Sequence, residues 1–579
     1  MNRGAYMYLV AVFVVLVSGS ALSADADAQR IEMAKKSEKS SMDFNTTEFT
    51  FNIAKGPFQA KADSFVKHYK CPDWFRDAKF GIYSHWGLCT VPGFDGHYAR
   101  FMYTQQEPQA YRDDKKFKRR PMSGYKPGRE SVYEYHVKNF GHPSKFGYKD
   151  FIPLWTAEKF DAMALMALFK EAGARYFGAM AVHHDNFDNY NSTYHEWNSV
   201  NMGPKKDIVG LWKRACQAYG LRFAVTSHLS NHGHEHVFYQ GESDSTGPLK
   251  GVPYDTMDPA NEGLYGHRTA DRLKLINPRF AQHWYLRTKD LIDQYNPDLI
   301  YLDGGIPNGV YGLNLAAHFY NHNMQMNDGQ LEGVFTIKRT SPKGFTLDME
   351  LAGLDRIRKD PWQTDTTINP GWFYMGGQMS KGELKSATDD AGMGGESSEQ
   401  AETLRLDAGK VVDNLIDIVS KNGNMMLNVG LRADGSLPDS FRGVLIEIGQ
   451  WLKINGEGIY GSRPFVIHGE GPFEMPTTGH SFNDNQYDFS GEDIRFTTKG
   501  NTLYAYLMAY PKNRQVRIKS LSPKHMARQT VRSVTLLGSN ETLAFRQTNE
   551  GLIVSLPRTP PSKYAQGLRI LGLNLSNVQ

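Results

Sequence analysis

The stretch FDAMALMALFKEAGARYFGAMAVHHD, residues 160–185, predicts a helix, a tight turn and a buried strand. Its first half places four apolar side chains on one helical face: Ala162, Leu165, Met166 and Phe169. Gly173 then marks the end of the helix. The apolar run Tyr176–Val182 follows, and an uninterrupted run of this length is typical of a strand buried on both faces.

The same helix–strand unit recurs further along the chain. Asp207 is predicted to cap a helix that ends at Gly220, and the strand 221–226 follows. A later helix stops at Asn296-Pro297, before the strand 298–302. Repeated units of this kind predict a parallel sheet, although periodicity alone does not separate an open, doubly wound sheet from a closed barrel.

Reactive side chains directly follow the predicted strands, and their position favours the barrel. They are His183, His184 and Asp185, then Ser227 and His228, then Asp303. A barrel carries its active site at the carboxyl ends of its strands. We therefore expect a (β/α)8-like (TIM) barrel of the α/β class.

The chain of 579 residues is too long for one hydrophobic core, so several domains are expected. Residues 1–24 are predicted to be a signal peptide, because Arg3, the apolar run 8–17 and the small residues 18–24 follow in that order. This predicts a secreted or periplasmic protein. We expect a linker over 25–61, the barrel over 62–465, and a C-terminal antiparallel β-sandwich over 466–579, where the pattern changes to period-two strands.

Charge and hydropathy exclude some classes of partner. The formal net charge is only +4, which argues against a dedicated nucleic-acid binder. After residue 24, no stretch is long and apolar enough to span a membrane. The sequence leaves the oligomeric state open.

The segment NPDLIYLDGG, residues 296–305, delivers a carboxylate to the expected mouth of the barrel. Asp303 at the end of this strand is a candidate nucleophile for attack on an anomeric carbon. From spacing alone, a helix cap or a metal ligand explains it equally well.

Several segments together resemble glycoside hydrolase family 29, the α-L-fucosidases. Besides 296–305, the matching segments are AKFGIYSHWGL (78–88), YARFMY (98–103), GAMAVHHDNF (178–187), PKKDIVGLWKRACQAYGLRF (204–223), DNLIDIVSKNGNMMLNVG (413–430) and WLKINGEGIYGSRP (451–464). The resemblance implies a barrel with a trailing sandwich and hydrolysis of fucosylated oligosaccharides or glycoconjugates with retained configuration. It implies no metal or other cofactor. The family often has an acidic residue and a Trp where this chain has Gly96 and His97.

The resemblance also assigns roles to individual residues. Asp303 is the expected nucleophile, and the expected sugar-binding residues are His85, His183, His184 and Arg339. Two further sugar contacts are expected from residue type and position: Trp86, whose ring suits the fucose ring or methyl group, and His228, which follows the next strand. Neutral imidazoles suit vicinal hydroxyls, because each offers one donor and one acceptor. The predicted acid/base is Glu350, with Glu332 as the second candidate and Asp348 as the third.

Two other functions remain alternatives. His232, His234 and His236 alternate along the chain and would form a metal site of a barrel hydrolase if they lay on a strand; an exposed loop is the plainer interpretation. A non-catalytic glycan-binding protein would lack the nucleophile or the acid/base.

Overall fold

The computed structural model describes residues 49–105, 130–229, 242–266, 278–307, 309–338, 343–375, 404–474, 484, 488–526, 529–539 and 541–575 of the chain. Eight parallel strands close into a barrel in sequence order. They are β1 Phe80–Ser84, β2 Tyr176–Val182, β3 Arg222–Ser227, β4 Leu299–Leu302, β5 Val334–Lys338, β6 Thr346–Glu350, β7 Trp362–Thr367 and β8 Gly423–Asn428. Closure occurs between β8 and β1, where Ile82 is paired with Leu427.

The α-helices of the described residues precede, separate and follow these strands. They are α1 Ala62–His68, α2 Asp73–Ala78, α3 Tyr98–Phe101, α4 Val132–Asn139, α5 Ala162–Glu171, α6 Ile208–Tyr219, α7 Glu262–Tyr265, α8 Pro278–Tyr295, α9 Val310–Met326, α10 Ala408–Ser420 and α11 Asp439–Asn455. Short 3₁₀ helices occur at Leu88–Thr90, Tyr148–Leu154, Asp255–Met257, Pro259–Asn261, Gly456–Gly458 and Lys519–Leu521. None of the described helices is long and apolar enough to cross a membrane.

The barrel departs from regular strand–helix alternation around β6. Only residues 339–345 join β5 to β6, and residues 351–361 between β6 and β7 contain no helix. Parallel neighbours are usually joined by a longer, helical crossover. Here α1 and the residue after it cover part of the gap: the Phe65 ring lies 5.2 Å from that of Phe345, and the Tyr69 hydroxyl is 2.6 Å from that of Thr346.

A β-sandwich follows the barrel. One sheet has the order β13-β16-β11-β10-β9 and the other β12-β15-β14. Their strands are β9 Arg463–Glu470, β10 Ile494–Lys499, β11 Thr502–Leu507, β12 Gln515–Ile518, β13 Ser533–Leu536, β14 Phe545–Thr548, β15 Gly551–Ser555 and β16 Gln566–Leu571. Neighbouring strands in both sheets are antiparallel.

The predicted fold class is confirmed. The strand predicted over Tyr176–Val182 has these bounds in the structure, and the Asp207 carboxylate caps α6 by accepting a hydrogen bond from the Gly210 amide. Gly220 ends α6 in the left-handed conformation. The start and the end of α6 both follow from local chemistry, because a cap carboxylate satisfies a free amide and glycine adopts a positive φ without strain.

Candidate active site

Strand alternation determines which side chains enter the barrel. Along β4, Tyr301 belongs to the cluster inside the barrel, whereas Ile300 and Leu302 belong to the larger core outside it. Asp303 is one alternation beyond Tyr301 and therefore emerges at the carboxyl end of the strand. Gly304 follows with a φ of 135°, a conformation that only glycine adopts readily, so the chain turns away from the carboxylate at once.

Asp303 is buried and contacts two basic side chains. One carboxylate oxygen lies 2.9 Å from Nζ of Lys338, and the other lies 3.5 Å from Nε2 of His184. Burial alone raises the pKa of the Asp303 carboxyl, but the Lys338 ammonium and the His184 hydrogen bond outweigh it and hold the pKa well below its usual range. The carboxylate is therefore ionised across the physiological range.

Lys338 is the last residue of β5 and lies between two carboxylates. Its Nζ is 2.7 Å from Oε2 of Glu350, in addition to its contact with Asp303, and 3.7 Å from Oδ2 of Asp365. The backbone amide of Lys338 donates to the carbonyl of Gly304 at 2.6 Å, which ties the ends of β4 and β5 together. Sequence reasoning did not identify Lys338; a strand prediction for 334–338 would have shown that it ends a barrel strand.

Glu350 is the last residue of β6 and reaches the same ammonium. Burial raises the pKa of Glu350, and the nearby Asp365 and Asp303 raise it further, against the opposing effect of Lys338. Leu351 directly after it has a φ of 49° and donates its amide to the Asp365 carbonyl at 2.8 Å. The two carboxyls therefore differ, because the pKa of Asp303 is lowered and that of Glu350 is raised.

The other two acid/base candidates lie elsewhere. Glu332 precedes β5, at the amino end of the barrel, where its carboxylate pairs with Arg222 at 2.8 Å. Asp348 lies deeper inside the barrel, is fully buried and accepts a hydrogen bond from the Gln363 amide at 2.7 Å. The structure thus brings Glu350, and not Glu332, to Asp303.

The four predicted sugar-binding histidines form one cluster beside Asp303. Nε2 of His85 lies 3.0 Å from Nε2 of His228, and the His183 ring lies 4.6 Å from both His184 and His228. Burial lowers the pKa of His85 to about 3, and burial with neighbouring imidazoles lowers the pKa of His183 and His228 well below the usual range. These three rings are therefore neutral near pH 7 and able to both donate and accept hydrogen bonds.

Trp86 is placed away from this cluster. Its indole N–H donates to the Arg432 carbonyl at 2.8 Å, and its ring packs against Trp155 and Phe160. Sequence neighbours on a strand end point to opposite sides, so His85 faces the barrel mouth while Trp86 faces the outer core. This environment favours a packing role for Trp86.

Aromatic residues that sequence reasoning missed border the histidines instead. The Trp372 ring lies 5.2 Å from His85, and the Phe373 ring lies 4.7 Å from His183 at an angle of 89°. Both follow β7, in the segment NPGWFY. His97, one of the two departures from the family pattern, stacks on His184 with ring centres 5.2 Å apart.

Some predicted residues lie outside the described residues. Arg339 is one, and His232, His234 and His236 of the alternative metal site are the others. Among the described residues, His85, His183 and His228 lie close enough together to hold a cation. Metal-binding histidines normally donate their second N–H to an acceptor, but Nδ1 of each has no hydrogen-bond partner among the described residues. The cluster therefore suits the hydroxyls of a ligand better than a metal ion.

Comparisons with known proteins agree on one family. A sequence model of the α-L-fucosidase family matches residues 46–389 and 397–457, and a model of the α-L-fucosidase C-terminal domain matches 486–571. Tissue α-L-fucosidase of Mus musculus is 26% identical over 520 residues, which cover 87% of this chain and 92% of that protein. Plasma α-L-fucosidase of Homo sapiens is 25% identical, covering 84% of this chain and 86% of the relative.

Solved structures agree with the sequence comparisons. The crystal structure of Thermotoga maritima α-fucosidase in complex with a mechanism-based inhibitor is 25% identical, with a TM-score of 0.61. The match covers 89% of this chain and all of that one.

Proposed function

We propose, on the premise that this chain belongs to the α-L-fucosidase family, that it removes terminal α-L-fucose from oligosaccharides or glycoconjugates with retained configuration. The chain is a glycoside hydrolase that releases fucose, as its family membership establishes. The retaining mechanism, the residue roles and the location of the protein are our proposals. The observation that supports the mechanism most is the single ammonium, Lys338 Nζ, in contact with both Asp303 and Glu350.

The reaction proceeds by two displacements. In the first, a carboxylate oxygen of Asp303 forms a bond to C1 of fucose, the C1–O bond to the leaving group breaks, and Glu350 gives its proton to the departing oxygen. In the second, Glu350 takes a proton from water as the water oxygen attacks C1. The ester bond breaks, and free fucose leaves with Asp303 ionised and Glu350 protonated again.

The separation of the carboxyls supports retention. Two oxygens that one ammonium contacts at 2.9 Å and 2.7 Å lie at most about 5.6 Å apart. Retaining glycosidases hold their carboxyls roughly 5–5.5 Å apart, whereas inverting enzymes need roughly 6.5–9.5 Å to admit a water molecule. The opposite pKa directions of Asp303 and Glu350 support the same division of roles.

The neutral histidines supply substrate recognition. Nδ1 of His85, His183 and His228 is buried and has no hydrogen-bond partner among the described residues, so these rings keep hydrogen-bonding capacity that the protein itself does not use. His184, beside Asp303, orients the nucleophile. Phe373 and Trp372 offer apolar faces to the ring or methyl group of a deoxy sugar. A fucosylated glycan is therefore the expected partner.

The nucleophile is tested with Asp303→Gly and an aryl α-L-fucoside. Turnover should fall by several orders of magnitude, because no ester forms. Azide should restore release of the phenol and give β-fucosyl azide, since azide then attacks from the side that Asp303 vacates. Near-normal activity of the variant without azide would disprove the role of Asp303.

The acid/base is tested with Glu350→Ala, using Glu332→Ala as the matched control. Turnover of a substrate with a poor leaving group should fall roughly 10²–10⁴-fold in Glu350→Ala. Azide should accelerate turnover of a substrate with a good leaving group and give α-fucosyl azide, the configuration opposite to that from the Asp303 variant. Glu332→Ala should be nearly as active as the wild type; the reverse pattern would transfer the role to Glu332.

Metal dependence is the competing mechanism, and chelation distinguishes it. Activity should be unchanged after dialysis against EDTA, because both displacements use side chains of this chain only. Loss of activity that Zn²⁺ restores would instead support a metallohydrolase.

Export is proposed from the pattern of residues 1–24. Expression in the native host, followed by amino-terminal sequencing of the mature protein, should find cleavage near residue 24. A cell-associated protein that retains Met1 would contradict export.

A further inference from the structure

Lys338 is the only cation that the described residues bring into contact with both Asp303 and Glu350. Its side chain is about 10% exposed, so the ammonium has lost most of its hydration. A buried ammonium is costly unless a negative charge compensates it. Burial lowers the pKa of Lys338, but Asp303, Asp365 and Glu350 outweigh it and hold the pKa well above its ordinary value. Lys338 is therefore charged wherever the enzyme works.

The negative charge near Lys338 moves during a double displacement. In the proposed mechanism Asp303 is ionised and Glu350 carries the proton before the first displacement. In the fucosyl-enzyme Asp303 is a neutral ester, while Glu350 has given up its proton and is ionised. Each state thus has one ionised member of this pair of carboxyls, and Nζ of Lys338 lies within 2.9 Å of an oxygen of either one.

We infer that Lys338 is a shared counterion that exchanges its ion-pair partner, from Asp303 to Glu350 and back, in each catalytic cycle. The net charge of the three side chains is then the same in both half-reactions. This inference rests on the proposed retaining mechanism. It makes Lys338 a residue that sets the pH dependence of both steps, in addition to any part in packing.

Other titratable groups around Lys338 take no part in the proposed proton transfers. The groups that face Lys338 or its partner Asp303 are Tyr83, His85, His184, His228, Tyr301, Asp348 and Asp365. Asp365 accepts hydrogen bonds from Tyr83 and Tyr301, at 3.2 Å and 3.1 Å, that no reaction step breaks. Burial and Asp365 raise the pKa of Asp348 well above its usual range, which keeps that group neutral.

The inference predicts how removal of the ammonium changes the pH profile. A nearby positive charge lowers the pKa of a carboxyl by about 1–3 units. Without it, Asp303 ionises only at higher pH, and Glu350 also keeps its proton to higher pH. Both limbs of the kcat/KM profile should therefore move upward by about one unit or more in Lys338→Met.

The second half-reaction gives an independent measurement. With a dinitrophenyl fucoside, hydrolysis of the fucosyl-enzyme limits kcat, so the acid limb of kcat reports deprotonation of Glu350 in the intermediate. This limb should also move upward by about one unit or more in Lys338→Met. Lys338→Gln, which keeps a hydrogen-bond donor without the charge, should give the same shifts, and Lys338→Arg should keep the limbs near their wild-type positions.

Lys421→Met is the matched control, because Lys421 is also buried and ion-paired, with Asp417 at 2.6 Å, but directly follows α10, away from the site. It should lower the melting temperature without moving either limb. If both uncharged Lys338 variants had a lower kcat/KM but pH profiles with unmoved limbs, Lys338 would have only a packing role. This result would overturn the inference. If neither Lys338→Met nor Lys338→Gln folds, Lys338→Arg provides the test. Displaced limbs of its pH profile, despite the retained positive charge, would contradict the inference.

Labelling separates this inference from the proposed mechanism. A 2-fluorofucosyl fluoride should attach to Asp303 in the wild type and in each Lys338 variant that folds. A label on another residue would refute the mechanism itself. A label on Asp303 combined with unmoved limbs would refute only the role of Lys338.

Discussion

Asp185 shows at the scale of single residues how buried polar groups support the histidine cluster. Its carboxylate accepts hydrogen bonds from the Tyr148 hydroxyl at 2.9 Å, the Phe187 amide at 3.3 Å and the Cys89 thiol at 3.7 Å. Burial raises the pKa of Asp185 to about 6, although these donors favour the carboxylate. Because Asp185 directly follows His184, this network fixes the turn that presents both paired histidines.

Asp185→Asn should therefore reduce activity without touching the substrate. The asparagine side chain has one acceptor oxygen in place of two. Its NH₂ group would face the donors that now contact the carboxylate. We expect kcat/KM for an aryl fucoside to fall about tenfold and the folded state to lose about 1–3 kcal/mol. Tyr148→Phe, which removes one of the three hydrogen bonds, should have a smaller effect on both quantities. Wild-type kinetics in Asp185→Asn would show that the turn holds without the carboxylate.

At the scale of elements, the segment 49–58 occupies a defined position against α9. The Ala54 amide donates to Nδ1 of His318 at 3.0 Å. The Asn321 side chain accepts from the Phe58 amide at 2.9 Å and donates to the carbonyls of Ala54 and Phe58 at 3.0 Å and 2.9 Å. Phe58 packs on Tyr320 with ring centres 4.7 Å apart. This segment and α1 thus complete the outer layer beside the short β5–β6 connection.

Asn321→Ala should test the contribution of this segment to stability. The substitution leaves three backbone groups of the segment without their side-chain partner, and we expect a loss of about 2–3 kcal/mol. Gln325→Ala is the control, since it removes an exposed hydrogen bond of 2.8 Å to Lys55 on the same helix face and should cost under about 0.5 kcal/mol. Thermal unfolding of both variants measures the difference; equal melting temperatures would show that the segment is not held by Asn321.

At the scale of the whole molecule, a buried ion-pair cluster joins the barrel to the sandwich. Asp417 of α10 accepts hydrogen bonds from Lys421, the residue that follows this helix, at 2.6 Å and from Arg495 of β10 at 2.7 Å. Burial raises the pKa of Asp417, but the two cations outweigh it and lower the pKa to about 2. Further contacts cross the same junction, such as the Trp451 indole N–H, which donates to the Ala565 carbonyl at 2.6 Å.

Asp417→Asn should destabilise both domains together, by about 3–5 kcal/mol near pH 7, because it leaves two buried cations unpaired. The depressed pKa means that the ionised carboxylate stabilises the fold above about pH 4, the value in the unfolded chain. This contribution is lost as pH falls from about 4 towards 2. The difference in melting temperature between the variant and the wild type should therefore narrow over this range.

Arg517→Met is the control for the whole-molecule prediction. Arg517 forms an exposed pair with Glu550 at 2.7 Å in the sandwich, and its loss should cost under about 1 kcal/mol at any pH. A melting-temperature difference for Asp417→Asn that stays constant down to pH 2 would contradict the assigned pKa.

The sequence by itself determined the repeated helix–strand units, the caps at Asp207 and Gly220, and the reactive residues that follow the strands. These features depend on neighbours a few residues apart, so local spacing and side-chain chemistry are sufficient to predict them. The ordered motifs also identified the family, which the comparisons confirm.

Only the tertiary structure decided which of these residues meet. Closure of the barrel brings the ends of β4, β5 and β6 together, so Lys338 contacts both Asp303 and Glu350. The same geometry leaves Glu332 at the opposite end of β5, although it is nearer to Asp303 along the chain. It also turns Trp86 into the outer core, beside a histidine that faces the site. Contacts of this kind depend on strand register and on which end of a strand a residue occupies. Local periodicity in the sequence predicts neither of these two properties.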